Sequence, residues 1–547
     1  MDPSCFGRMK ARPFLAVVLA VAIVLASLGF GGWWIVLRQS PLKLQNQLLA
    51  VPMAARFVPR LTPLSLYWLT DPEQPVVYGR AVAPTARRHQ AAATVARLRD
   101  GAFAAAGIDY QAELASWLGP ETSLALINGG SSEAPQGWLL ALRSRHGDGA
   151  RRFLQRFWQV RSLAGTDVQV STYRGMGLIS GRGALVGSTP MPLATALIND
   201  DLVLIASGQG VLQQALDVSQ IDGLNQATTA SFQAGVKRLA QGSALLTARP
   251  EAMAPWLGLP KDLIDQAGVK DLLATLRPER GTLVADVVVG LDEGNLPWRP
   301  LPDTSRTAAL LAALHGQKSS LALLQNPAGW PAPWQPLLQA ILAETSSPDS
   351  TSAEPTSPEP TTPSPIPALV ALADAGPLLW SEAAEGWQIG TGLNQPAPEA
   401  LDGALPGQGL ITAPLAVEGG PPLQVWTRLK SPASVREPLQ ASLEGARSAE
   451  GTIAWWGQTL AVLQQQRDLR QGPQQRQNQL TELAMPKAPL QWAMAGPKAQ
   501  GLIQGWGTWR LLSGLAGQPL AASVDGLTVG LEPETNGLHF KARLSFA

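Results

Sequence analysis

The sequence predicts an α+β fold: antiparallel sheets built from strand–helix–hairpin units, in two related copies, behind one transmembrane helix. Three observations point there. Short apolar strands come in hairpin-linked pairs, with helices following pairs of strands; a doubly wound parallel sheet would need strict strand–helix alternation. The same order of elements recurs in both halves of the chain. Residues 13–37, "PFLAVVLAVAIVLASLGFGGWWIVL", carry no charge.

At 1.5 Å per residue that run reaches about 37 Å as a helix, enough for a tilted crossing of a ~30 Å hydrocarbon core. Arg8, Lys10 and Arg12 precede it, and Trp33 and Trp34 fall near its outer end, where indoles favour the headgroup level. The charge bias puts residues 1–12 in the cytoplasm and the bulk outside, in a periplasm or thylakoid lumen. A cleaved signal peptide is the alternative, but the apolar run exceeds the usual h-region and no small-x-small site follows a polar stretch.

The 547 residues are 45% hydrophobic and 15% charged with a net charge of +1, which suits sizeable cores and argues against a nucleic-acid binder. The one cysteine, Cys5, precludes an internal disulfide, and four scattered histidines lack zinc-site spacing. No cofactor or metal is expected.

After a spacer at 38–49, the first α+β domain is placed at 50–298. It opens with a strand around Leu64–Leu69, a helix through "PTARRHQAAATVARLRDGAFAAAG", a second short helix ending at Gly119–Pro120, and strands over Ser123–Ile127 and "GWLLALRS". "DGARRFLQRFWQVRSL" reads as a helix with Phe153, Leu154, Phe157 and Trp158 on one stripe and Arg151, Arg152 and Arg156 towards solvent. Strands recur as "VQVSTY", "MGLIS", "ATALI" and "LVLIA", the last two joined at Asn199–Asp200, a hairpin signal. Strand "ALLTA", helices from Pro250 to about Ala267, and the hairpin "LLATLRPERGTLVADVVVGL" complete the half.

The second domain, 299–547, repeats that order. "PLQWAMAGPKAQGLIQGWG" and "VDGLTVGLEPETNGLHFKARLSF" stand where "SALLTARPEAMAPWLG" and "LLATLRPERGTLVADVVVGL" stand in the first. A run rich in Pro, Ser, Thr and Glu at 344–366 interrupts the second copy; it cannot bury enough apolar area to offset its ordering entropy and is expected to be a disordered insertion.

Catalytic motifs are missing. Gly181, Gly183 and Gly187 do not follow dinucleotide spacing, and the stretch after them reads as a strand. Asp200 and Asp201 sit at a turn, and Asp109 and Glu113 share a helix face. Trp455 and Trp456 should alternate across a strand, leaving one towards solvent. Arg87, Arg88, Arg151, Arg152 and Arg156 are the candidate interaction surface, a basic face for anionic lipid or an acidic partner. Ordinary solvated helix faces are the simpler reading of the same residues.

The segments "AARFVPRLTPLSLYWLTDPE", "GIDYQAELASWLGPETSLAL", "AGTDVQVSTYRGMGLI" and "ALINDDLVLIASGQGVLQQALD" resemble a cyanobacterial family of membrane-anchored proteins catalogued as a domain of unknown function. The resemblance implies origin and topology and carries no catalytic residues. The expected role is a non-enzymatic scaffold for other membrane or exported proteins, with membrane lipid met through the anchor. A carrier of lipid or another hydrophobic ligand, and a hydrolase with a site assembled from distant residues, are the alternatives.

Overall fold

The computed structural model describes residues 41–128, 136–183, 191–292, 305–342, 364–393, 403–417, 422–430, 440–468, 475–535 and 537–546. The expected span at 13–37 with Trp33 and Trp34, the boundary at 298–299 and nearly all of the insertion lie outside them. Among the described residues no helix is long and apolar enough to cross a membrane.

In chain order the first half gives β1 (Leu64–Trp68), α1 (Gln74–Val82), α2 (Arg88–Ala105), β2 (Leu118–Asn128), β3 (Gln136–Ser144), α3 (Gly147–Leu163), β4 (Val168–Tyr173), β5 (Met176–Gly183), β6 (Met191–Ile198) and β7 (Leu202–Ala206). Then come α4 (Gln209–Gln220), α5 (Ala230–Leu239), β8 (Ala244–Ala248), α6 (Pro250–Leu257), α7 (Lys261–Ala267), β9 (Val269–Glu279) and β10 (Thr282–Leu291).

The second half gives α8 (Ser305–Ala313), β11 (Ser320–Gln325), α9 (Gln335–Leu342), α10 (Ile366–Ala373), β12 (Pro377–Ala383), β13 (Gly386–Gly392), β14 (Leu410–Leu415), β15 (Leu423–Lys430), β16 (Gln440–Glu450) and β17 (Ile453–Gly457). It closes with α11 (Leu460–Asp468), α12 (Gln475–Leu483), β18 (Leu490–Ala495), α13 (Gly496–Gly505), α14 (Gly507–Leu515), β19 (Val524–Glu534) and β20 (Gly537–Phe546).

All pairings are antiparallel, as the hairpin pattern predicts. In the first half the spatial order is β4-β5-β6-β7-β3-β2-β1-β8-β9-β10. In the second it is β14-β15-β16-β17-β13-β12-β11-β18-β19-β20. The last strands of the two halves, β10 and β20, pair with each other and join everything into one sheet.

Both faces of this sheet are covered at β3, β7, β11 and β17. Along β3 and β7, Leu139, Ala141, Leu202 and Leu204 enter one core, while Leu140, Leu142, Val203 and Ile205 enter another. Strands buried on both sides lose the alternation of a half-exposed strand, so "LVLIA" and "SLALLQ" are buried throughout. The same arrangement corrects the expectation for the tryptophan pair. Trp455 and Trp456 do point to opposite faces, yet each is only 1% exposed, because one core lies above β17 and another below it.

Local chemistry explains most elements and three departures. Asn199 (φ 47°) and Asp200 (φ 64°) take the left-handed conformation that a tight hairpin demands. Asp109 and Glu113 form a capping pair: the Asp109 carboxylate accepts from the Ala112 N–H, and Glu113 accepts from the Asp109 N–H. The helix they open ends at Leu114, and Gly119–Pro120 belongs to β2, which starts at Leu118, because Leu118 pairs with Ser144 across a register shift. Helices α1 and α10 were not expected. Ile366, placed at the end of the insertion by composition, is a buried core residue at the start of α10.

Candidate functional interface

Helix α3 lies over β4–β6. Gly149 lets its first turn close on Trp117, where a Cβ would come within 2.3 Å of the indole's own Cβ. Phe153 packs tilted with its ring centre 5.0 Å from that of Trp117, and Phe157 meets Trp158 edge to face at 5.4 Å; Trp158 Nε1 donates to Thr195 Oγ1 at 2.8 Å. Beside this packed end a groove of about 320 Å³ stays open between α3 and the sheet. Its walls are Leu154 on the helix and Val170, Leu178, Ile179 and Leu197 on the strands, with Arg151 at the rim.

The groove borders a free sheet edge, because β4 pairs only with β5 among the described residues. Around it, Val170 is 78% exposed and Leu163 83%, and Val160 is also exposed. A strand edge with unpaired N–H and C=O groups and no proline or charge within Val168–Tyr173 is a template for another strand. The opposite edge, β14, carries Pro414.

The predicted arginines divide between two places. Arg151, Arg152 and Arg156 lie exposed on α3, as the stripe requires. Arg151 donates Nε to Asp200 Oδ1 at 3.2 Å, and Arg152 Nε donates to the Asp148 carbonyl at 3.2 Å. Arg87 and Arg88 sit exposed at the start of α2, about 27 Å of helix away from the end where Phe103 stacks on Tyr110 and joins the α3 core. The structure therefore does not gather the five into one patch.

A second polar constellation escaped the sequence. Lys318, only 6% exposed, donates Nζ to Gln388 Oε1 at 2.9 Å; Gln388 Nε2 donates to Gln466 Oε1 at 3.1 Å, which also accepts from the His315 N–H. Burial pushes the Lys318 ammonium down to about 8, against a weaker opposing pull from Glu385. The hydrogen-bonded chain from Lys318 through Gln388 to Gln466 is made of amides, and the Glu385 carboxylate acts on the ammonium only through its charge. Among the described residues no cluster of three or more His, Cys, Asp or Glu could hold a metal. Val170, Leu163 and Lys318 were missed because exposure and burial at single positions depend on which strand is an edge and which loop is covered.

Comparison with known proteins gives little beyond the family. No curated protein matches the chain. Crystal form I of TP0453 aligns at 9% identity over 44% of this chain and 79% of that one, with a TM-score of 0.25. Crystal form IV aligns at 7% identity over 45% and 82%, with a TM-score of 0.26. Scores this low establish neither a shared fold nor a shared role. The family described as "Protein of unknown function (DUF3352)" matches residues 18–332, more than half of the chain and all of the first half's strands. The chain belongs to that family.

Proposed function

We propose that this chain is a membrane-tethered interaction protein without catalytic activity, which holds an extended segment of another membrane or exported protein against β4. The observation that carries this reading is the free, uncharged β4 edge lying beside the apolar groove and the exposed arginines of α3. Backbone pairing would supply affinity, Leu154 and Ile179 would take alternate side chains, and Arg152 and Arg156 would favour acidic flanks. The tether is the apolar run at 13–37, with the body on the non-cytoplasmic side, in an envelope or thylakoid membrane.

The body is read as two copies of one ten-strand unit. What supports duplication is that both halves have the same spatial strand order. β9 and β19 are 11 residues each, β10 and β20 are 10 each, and β7 and β17 are 5 each.

Copurification from detergent-solubilised membranes tests the role. A partner retained by the native protein and lost from Val170→Asp supports it. A protein that runs alone and brings down a lipid overturns it in favour of a carrier, for which the same groove would be the ligand site.

A further inference from the structure

We infer that a helical layer running from the start of the described chain to α14 lies flat on an anionic lipid surface. Two tryptophans and three leucines enter the headgroup boundary there. The inference rests on the tether proposed above, but on different residues from the β4 groove.

The apolar part is contiguous through contacts on the page. Trp256 is 40% exposed and Trp506 41%, although indoles of this size are usually well covered. Trp506 Nε1 donates to the Leu257 carbonyl at 2.5 Å, Thr508 Oγ1 donates to the Trp256 carbonyl at 2.8 Å, and Gly258 packs on the Trp506 ring. Leu502, one turn before Trp506, and Leu511, just after it, are about half exposed, and Leu259 adds to the same surface. The end of α6 meets the α13–α14 junction because Gly258 ends α6 in the left-handed conformation while Trp506 separates α13 from α14.

The basic part lies alongside. Helix α2 packs on α14, where Gly101 faces the Leu515 carbonyl and Gln518 Nε2 donates to Thr94 Oγ1 at 2.8 Å. Helices α1 and α2 expose Arg80, Arg87, Arg88 and Arg97, none of them in an ion pair among the described residues. Of the acids on and just before these helices, Glu73 and Asp100 are bound to Arg99 and Asp71 to Arg145. Cations beside exposed indoles and leucines are the composition of a surface-lying amphipathic layer.

Chain geometry selects lipid over a soluble partner. The 3₁₀ turn Pro41–Asn46 opens the described body and packs against α1, where Gln45 Nε2 donates to the Tyr78 hydroxyl at 2.8 Å. Only Arg38, Gln39 and Ser40 separate that turn from the apolar run. Three residues reach at most ~11 Å, so a tethered body is held with this end against the headgroups.

The test uses the full chain with Cys5→Ser, reconstituted into phosphatidylcholine vesicles with and without phosphatidylglycerol. Leu502→Cys and Leu511→Cys each carry an environment-sensitive fluorophore, and Leu415→Cys on the far β14 edge is the control. Acyl-brominated lipid should quench the labels at 502 and 511 by about twofold or more when phosphatidylglycerol is present, and leave 415 unchanged. Arg87→Glu with Arg88→Glu should abolish that quenching while the far-ultraviolet circular dichroism melt stays in place. Integration with labels at 502 and 511 as aqueous as 415 overturns the lipid surface and leaves the tether standing. Protection that appears only when a second protein is added overturns it equally, and failure to integrate at all overturns the tether.

Discussion

Asp286 of β10 and Lys541 of β20 stand directly opposite each other, the fifth of nine register pairs in the ladder joining the two halves. Each is also the fifth residue of its own ten-residue strand. His539, two residues away, donates Nε2 to the Asp286 carboxylate. Burial alone would raise the Asp286 pKa, but the His539 hydrogen bond and the charges of His539, Lys541 and Arg238 outweigh it and leave it below the usual carboxylate value. A depressed carboxyl contributes stability above its unfolded pKa and loses it as pH falls through the folded one. The native protein should therefore lose stability through this group as pH falls below the ordinary carboxylate range, about pH 4. Asp286→Asn should flatten that acid limb in denaturant titrations between about pH 5 and 2. An unchanged acid limb would show that the ladder does not depend on this carboxylate.

Lys318 gives the opposite limb. Its folded pKa lies below the unfolded value, so between about pH 8 and 10.4 the unfolded chain holds a proton that the folded chain lacks. Stability should rise with pH across that window by on the order of 2 kcal/mol, and Lys318→Met should remove the rise. Urea titrations of both proteins at pH 8 and 10 measure the difference in slope.

The tryptophan pair tests the two-sided core. Trp456 stacks on Trp426 with ring centres 5.2 Å apart, and Arg447 sits 5.2 Å over the Trp456 ring on the side chain's own face of the sheet. Trp455 fills the opposite core. Trp455→Ala and Trp456→Ala should each cost about 3–5 kcal/mol in thermal or chemical melts. A sheet with one wet face would tolerate one of them.

Gly101 of α2 packs directly on the backbone of Leu515 in α14. A Cβ there would stand 1.9 Å from the Leu515 carbonyl oxygen, which is backbone and cannot swing aside. Gly101→Val should lower stability by about 1–3 kcal/mol through forced separation of the two helices. Gly101→Ala should show a smaller loss in the same melt.

Much of this architecture could be read directly from the residues. Short apolar runs, the Asn199–Asp200 turn and Gly281 of the Arg280–Gly281 turn define antiparallel hairpins locally, although Pro278 lies within β9, and local chemistry is what sequence states best. The α3 stripe of Phe153, Leu154, Phe157 and Trp158 was equally legible, and with it the outward set of Arg151, Arg152 and Arg156. Lys318 was illegible, since its burial comes from Gln388 and Gln466, 70 and 148 positions away along the chain.

By itself, the sequence determined an α+β chain of hairpin-linked strands, an uncharged run of membrane-spanning length and a chain without recognisable catalytic spacing. These follow from periodicity, charge and turn chemistry, which act over a few residues. Only the tertiary structure decided that β10 pairs with β20, that both faces of β17 are buried, that β4 is an edge, and that Leu257 meets Trp506. Those depend on which distant segments pack together, and burial is a property of the assembled layers, never of one strand's letters.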